Sequence, residues 1–197
     1  MTKLHIGCFD VLLPGWYNAD VTIHIFVARI PFLAHILYGL GLMEDRRYQQ
    51  HKLGVFREVH YLNALKRLPF SECSVEAVYS SCMLTNFTRA QALVCLKEIN
   101  HILRPDGILR IGIPDLDHWI KTYDPNDPDM FLRIFFEPEI KGNENRIHWL
   151  YNPFSLRKIL QEAGFKKVVT CEKNQGKCPD VQTIDYRSDV MFMEGEK

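Results

Sequence analysis

Gly7 and Cys8 follow the apolar run Leu4–Ile6 and open like a turn that wraps a nucleotide. Glycine suits such a place because the chain must reverse and let a ligand approach its backbone. Phe9 stands where a second glycine would be expected. Asp20 closes the run Trp16–Asp20, and a carboxylate there can accept two hydrogen bonds from one ligand. Asn63, Ala64 and Leu65 follow another β-type run, and the Asn63 amide offers both an acceptor and donors. Ser81 and Cys82 end a fourth. Asp115 and Asp117 follow a fifth, and His148 lies beside Trp149 and Tyr151. Asp115 and His148 are the groups whose types could move a proton at an acceptor. Each has a plainer use: a turn acid, a loop amide, a small buried thiol, a solvated loop charge.

These residues need a scaffold that brings strand ends together. Residues 4–8 and 16–20 read as strands, and the link 9–15, with Pro14 and Gly15, is too short for a full crossover helix. Residues 56–64, 75–84, 108–114, 166–172 and 189–196 read as further strands. Residues 88–104 form the clearest helix: Thr88 caps it, and Ala92, Leu93, Leu96, Ile99, Ile102 and Leu103 make its buried stripe. Residues 152–165 form another, with Asn152 as cap, Pro153 inside and Gly164 after the end. The alternation predicts an α/β fold: a doubly wound, mostly parallel Rossmann-like sheet. It has a short first crossover, a helical insertion after strand two and an antiparallel C-terminal edge. In such sheets ligands sit at the carboxyl ends of the strands, which is where the residues above fall.

The chain reads as one domain, 1–197, with 21–55 as an insertion or lid. Residues 31–53 read helical. Leu33, Ile36, Leu37 and Leu40 share one face, read as core-packing, with a lid, a dimer contact or a membrane-surface helix as the alternatives. The uncharged run 30–43 is shorter than the roughly 20 residues of a membrane span, so stable insertion is not expected. Lys+Arg and Asp+Glu number 24 each, so no global basic field argues for nucleic acid. The six cysteines form no paired ligand spacing. They are expected to be reduced thiols in a cytoplasmic protein, without a metal.

Three blocks in order resemble the class I S-adenosylmethionine-dependent methyltransferases, in a small branch that opens "GCG…pGWinvD". They are "LHIGC…PGWYNAD", then "YLNALKRLPFSECSVEAVYSSCML" running through "ALVCLKEINHILRPDGILRIGIPDLD", then "HWLYNPFSLRKILQEAGFKKV". The resemblance implies S-adenosylmethionine held by Gly7, Cys8, Phe9, Asp20, Asn63, Ala64, Leu65, Ser81 and Cys82, with Asp20 on the ribose hydroxyls. It implies methyl transfer to a small-molecule or saccharide-type acceptor. The sequence departs from the family at the site: Phe9 replaces glycine, Thr85 and Asn86 replace an acid and a histidine, and Asn63 replaces an acid. Phe9→Gly would strengthen cofactor binding if the ring only obstructs. The alternative is a non-catalytic protein of this fold acting in binding or assembly, with 21–43 as the contact of a homodimer or protein partner.

Overall fold

The computed structural model describes residues 2–136 and 147–197. Seven strands form one sheet in the order β3-β2-β1-β4-β5-β7-β6. They are β1 (Thr2–Ile6), β2 (Tyr17–Asp20), β3 (His60–Tyr61), β4 (Val75–Ser81), β5 (Leu103–Ile113), β6 (Lys167–Cys171) and β7 (Met191–Glu196). The pairings from β3 through β5 are parallel, and β7 runs antiparallel to both β5 and β6. The expected antiparallel C-terminal edge is thus the β6–β7 pair, with the last strand inside and β6 at the rim.

Side-chain alternation along the strands sorts the core into two layers. Leu4, Ile6, Val78, Leu109, Ile111 and Met193 pack on one face with α4 (Arg89–Ile102) and α7 (Pro153–Glu162). Both helices start as the sequence predicts. Thr88 accepts from the Gln91 N–H and Asn152 from the Ser155 N–H, each completing a reciprocal capping box. A second cluster fills the other face. Leu13, Trp16, Tyr79, Ile108, Cys178 and Ile184 cluster there, supplied by the 7–16 link, the chain after β6 and the single-turn α8 (Val181–Ile184).

Three expectations are corrected. The 31–53 helix is two helices, α2 (Leu33–Gly39) and α3 (Asp45–Lys52), preceded by α1 (His24–Arg29). Gly39 and Gly41 break the run, and α2 has no buried residue, so its apolar face is not core-packing. The 56–64 strand shrinks to His60–Tyr61, because Val55–Arg57 forms a 3₁₀ turn that buries Phe56. β5 begins at Leu103, and "PDG" is an irregularity inside it: Leu103 pairs with Val75, then Ile108 with Ala77. The polar stretch 115–147 holds α5 (Leu116–Lys121) and α6 (Pro128–Phe136), and 137–146 lie outside the described residues.

Two histidines are built in neutral. His5 on β1 is fully buried, its Nδ1 3.2 Å from the Asn18 Oδ1. Burial lowers its pKa to about 4 against the opposing pull of Asn18. His24 on α1 is lowered to about 4 by burial and then by His51 and Arg47. Folded-state values below the ordinary 6.5 mean the unfolded chain takes protons first. Stability from these groups is complete above about pH 6.5 and drains as pH falls toward about 4. Thermal melts at about pH 7.5 and about pH 5 should show a lower Tm at the acid end. A His24→Gln variant should show a smaller difference.

Candidate functional site

A cavity of about 620 Å³ opens at the carboxyl ends of β1, β2 and β4. That is the switch point of the strand order, and the size falls in the roughly 300–1,000 Å³ range of small-molecule sites. Gly7, Cys8, Phe9, Asp20, Asn63, Ala64, Leu65, Ser81 and Cys82 all line it. So the strand ends converge as the topology requires.

The 7–9 turn is tightly tied to β2. The Gly7 and Cys8 N–H groups both donate to the Ala19 carbonyl, at 2.9 and 3.2 Å. Gly7 has φ +75°, and a Cβ there would meet the Met83 Cβ at 2.8 Å. Only glycine fits. Phe9 has φ +46°, the left-handed backbone that the missing second glycine would take without cost. Its N–H donates to the Asp20 Oδ2 at 2.9 Å.

The Phe9 ring is gripped by the insertion and by Phe56 just after it. The Arg47 guanidinium lies 4.4 Å from its centroid, and the His24 and Phe56 rings stand at 6.3 and 6.2 Å. Beside it Asp10 takes hydrogen bonds from Arg47 and Gln50 of α3, and these outweigh burial to hold its pKa below the usual carboxylate range. The substitution at position 9 is therefore answered by residues of the insertion. Phe9→Gly should relieve about 1–2 kcal/mol of backbone strain and lose ring contacts of similar size. Its Tm should stay within about 4 °C of the parent in a thermal melt.

Asp20 ends β2 with its carboxylate turned to backbone donors: Phe9 N–H on Oδ2, and Thr22 N–H at 2.8 Å on Oδ1. Burial raises its pKa while these bonds oppose the rise. A carboxylate has about four lone-pair sites, so acceptor capacity remains for a ligand's hydroxyls. Asn63 spends its side-chain carbonyl on the Leu65 N–H at 2.9 Å, and the residue lines the cavity. The Cys8 and Cys82 thiols are both raised, burial being the largest cause, so neither is a ready thiolate. Cys82 has φ +55° and donates its N–H to the Gly112 carbonyl at 2.8 Å, joining β4 to β5 under the cavity.

Thr85 and Asn86 have different fates. Thr85 is buried, and its hydroxyl donates to the Cys82 carbonyl at 2.7 Å. Asn86 lines the cavity. The candidate proton movers do not. Asp115 caps α5 by accepting from the Asp117 N–H at 3.0 Å. His148 is exposed, and its backbone N–H reaches the Thr85 carbonyl at 2.7 Å. Neither belongs to the cavity wall.

The cavity also has walls that no sequence signal singled out. Tyr186 and Arg187 line it from the segment between α8 and β7, and Tyr61 from β3. Arg187 pairs with Asp189. That segment is polar and without periodicity, so only the fold reveals its place. Among the described residues no group of three or more His, Cys, Asp or Glu could hold a metal ion, and no helix is long and apolar enough to cross a membrane.

A methyltransferase-domain family model matches residues 35–111, from α2 to β5. Solved structures match along the whole length. The methyltransferase SibL in its apo form is 16% identical with TM-score 0.54, covering 100% of this chain and 50% of that one. This is a class I methyltransferase fold. An S-adenosylmethionine-dependent methyltransferase from Thermotoga maritima is 16% identical with TM-score 0.53, covering 100% of this chain and 82% of that one. PigF, solved with S-adenosylhomocysteine, is 13% identical with TM-score 0.51, covering 100% and 50%. The chain spans about half the length of SibL and of PigF. No curated protein matches the sequence significantly. Gly7, Phe9 and Asp20 precede the family match, so the methyltransferase fold rather than the matched segment carries that half of the site.

Proposed function

We propose that this chain binds S-adenosylmethionine in the 620 Å³ cavity and transfers its methyl group to a small-molecule or saccharide-type acceptor. The observation that carries the reading is the juxtaposition at the switch point of a left-handed turn at Gly7–Phe9, the Asp20 carboxylate and the Asn63 amide. The group fits the residues present: Asp20 keeps acceptor capacity for a pair of ribose hydroxyls, and Asn63 offers a donor toward a base. When bound, the cofactor's sulfonium supplies both the methyl carbon and the leaving group. The protein's own work is to align an acceptor and keep water out, and proximity carries much of such a rate. Asn86, Tyr186 and Arg187 border the same space and would face the acceptor. Asp115 and His148 lie off the cavity wall, so the reading assigns neither of them a proton transfer.

Calorimetric titration with S-adenosylmethionine and S-adenosylhomocysteine tests the reading. Micromolar binding of either supports it. No heat and no thermal shift at millimolar ligand would overturn it, and would leave the fold serving binding or assembly.

A further inference from the structure

We propose that Arg187 is a carboxylate-binding group at the β4 end of the cavity. The proposal rests on the reading of this cavity as a nucleoside-cofactor site and concerns the end away from Asn63. Among the described residues, Arg187 is the only Lys, Arg or His on the cavity wall. The two acids there already have donors: Asp10 has Arg47 and Gln50, and Asp20 has the Phe9 and Thr22 N–H groups. Arg187 is held along one edge. Its Nε donates to the Asp189 Oδ1 at 3.0 Å and a terminal nitrogen to the Asp189 Oδ2. The guanidinium fork has a second edge, whose donors can take another carboxylate in the same bidentate manner. The side chain is 39% exposed, so a ligand in the cavity has access to it.

Strand order places this cation within a ligand. The sheet runs β3-β2-β1-β4, and Asn63, Asp20, Gly7 and Cys82 stand at or just after the ends of those strands in turn. β4 lies two strand spacings, about 10 Å, from β2. Arg187 is within electrostatic range of the Cys82 thiol at that end, and its neighbour Tyr186 is within range of Cys8 and Cys82. A ligand with its base near Asn63 and its ribose at Asp20 therefore extends its remaining end toward Arg187. Charge sets the class of that end. One guanidinium already paired with Asp189 matches a monoanion, whereas a phosphate dianion would need further cations that the wall lacks. Such a carboxylate has two sources: the amino-acid end of the cofactor, or an acidic acceptor such as a uronic acid.

The test is calorimetric titration with S-adenosylhomocysteine and with methylthioadenosine, which lacks the amino-acid end. Arg187→Gln should weaken S-adenosylhomocysteine binding roughly tenfold and leave methylthioadenosine unchanged. Arg187→Lys keeps the charge without the fork and should lose less. An unchanged Tm verifies the fold of both variants. Where Arg187→Gln leaves both nucleosides unchanged, the chain saturated with S-adenosylhomocysteine is titrated with glucuronate and with glucose. Binding of glucuronate and not of glucose, lost in Arg187→Gln, assigns the group to an acidic acceptor. Equal losses with both nucleosides would overturn the proposal while the cofactor reading stands. So would no loss with either, together with no glucuronate binding that depends on Arg187. Binding of neither nucleoside to the parent would overturn that reading, and the proposal with it.

Discussion

An Arg110→Met variant should melt roughly 10 °C or more below the parent. Arg110 sits on β5 with no exposure at all. Its Nε donates to the Asp185 Oδ1 at 2.8 Å and one terminal nitrogen to Asp185 Oδ2, while the other terminal nitrogen donates to the Glu194 Oε1 at 2.8 Å. The remaining donors reach the Gln175 and Glu172 carbonyls. Both carboxylates are buried too. They are further bound by backbone N–H groups, from Asn174 on Asp185 and from Lys177 and Cys178 on Glu194. Removing the cation leaves two buried negative charges facing each other, which costs on the order of 3–5 kcal/mol. Gly176 belongs to the same device, since a Cβ there would lie 2.2 Å from the Glu194 Oε1.

The consequence reaches the site. The cluster fastens the chain from Glu172 to Asp185, and the next two residues, Tyr186 and Arg187, line the cavity. Thermal melts followed by near-ultraviolet circular dichroism would read the loss. Adding Asp185→Leu and Glu194→Gln to Arg110→Met should restore part of the Tm, because the uncompensated charges disappear with their partner. A melt unchanged in Arg110→Met would refute the account.

Asp20→Ala should weaken S-adenosylhomocysteine binding by roughly 10–100-fold. The carboxylate has two tasks: it holds the Phe9 and Thr22 N–H groups, and it presents remaining lone pairs to the cavity. Losing it frees the 7–9 turn from β2 and removes charged acceptors from the ligand. Asp20→Asn should fall between, since one oxygen is kept. Asp115→Asn and His148→Ala should leave affinity unchanged, because neither residue lines the cavity. Calorimetry on the four variants separates these outcomes, and equal losses at Asp20 and Asp115 would sink the assignment.

The sequence alone determined what depends on short-range pattern. The strands show as apolar runs, α4 and α7 as 3.6-residue stripes with their caps, and Asp20 as an acid at a strand end, because period and capping are properties of neighbouring residues. The topological rule then placed Gly7, Asp20, Asn63 and Ser81 at one end of the sheet. Tertiary structure decided what depends on contacts between distant residues. The Phe9 ring, read locally as an obstruction, is held by Arg47 and His24 from an insertion the turn does not foretell. The apolar stripe of α2 looks like core because periodicity reports amphipathicity and not what lies opposite; among the described residues no layer buries it. Tyr186 and Arg187 join the site only because Arg110, Asp185 and Glu194 meet across 75 and 84 residues of chain, and a buried charge cluster leaves no local mark.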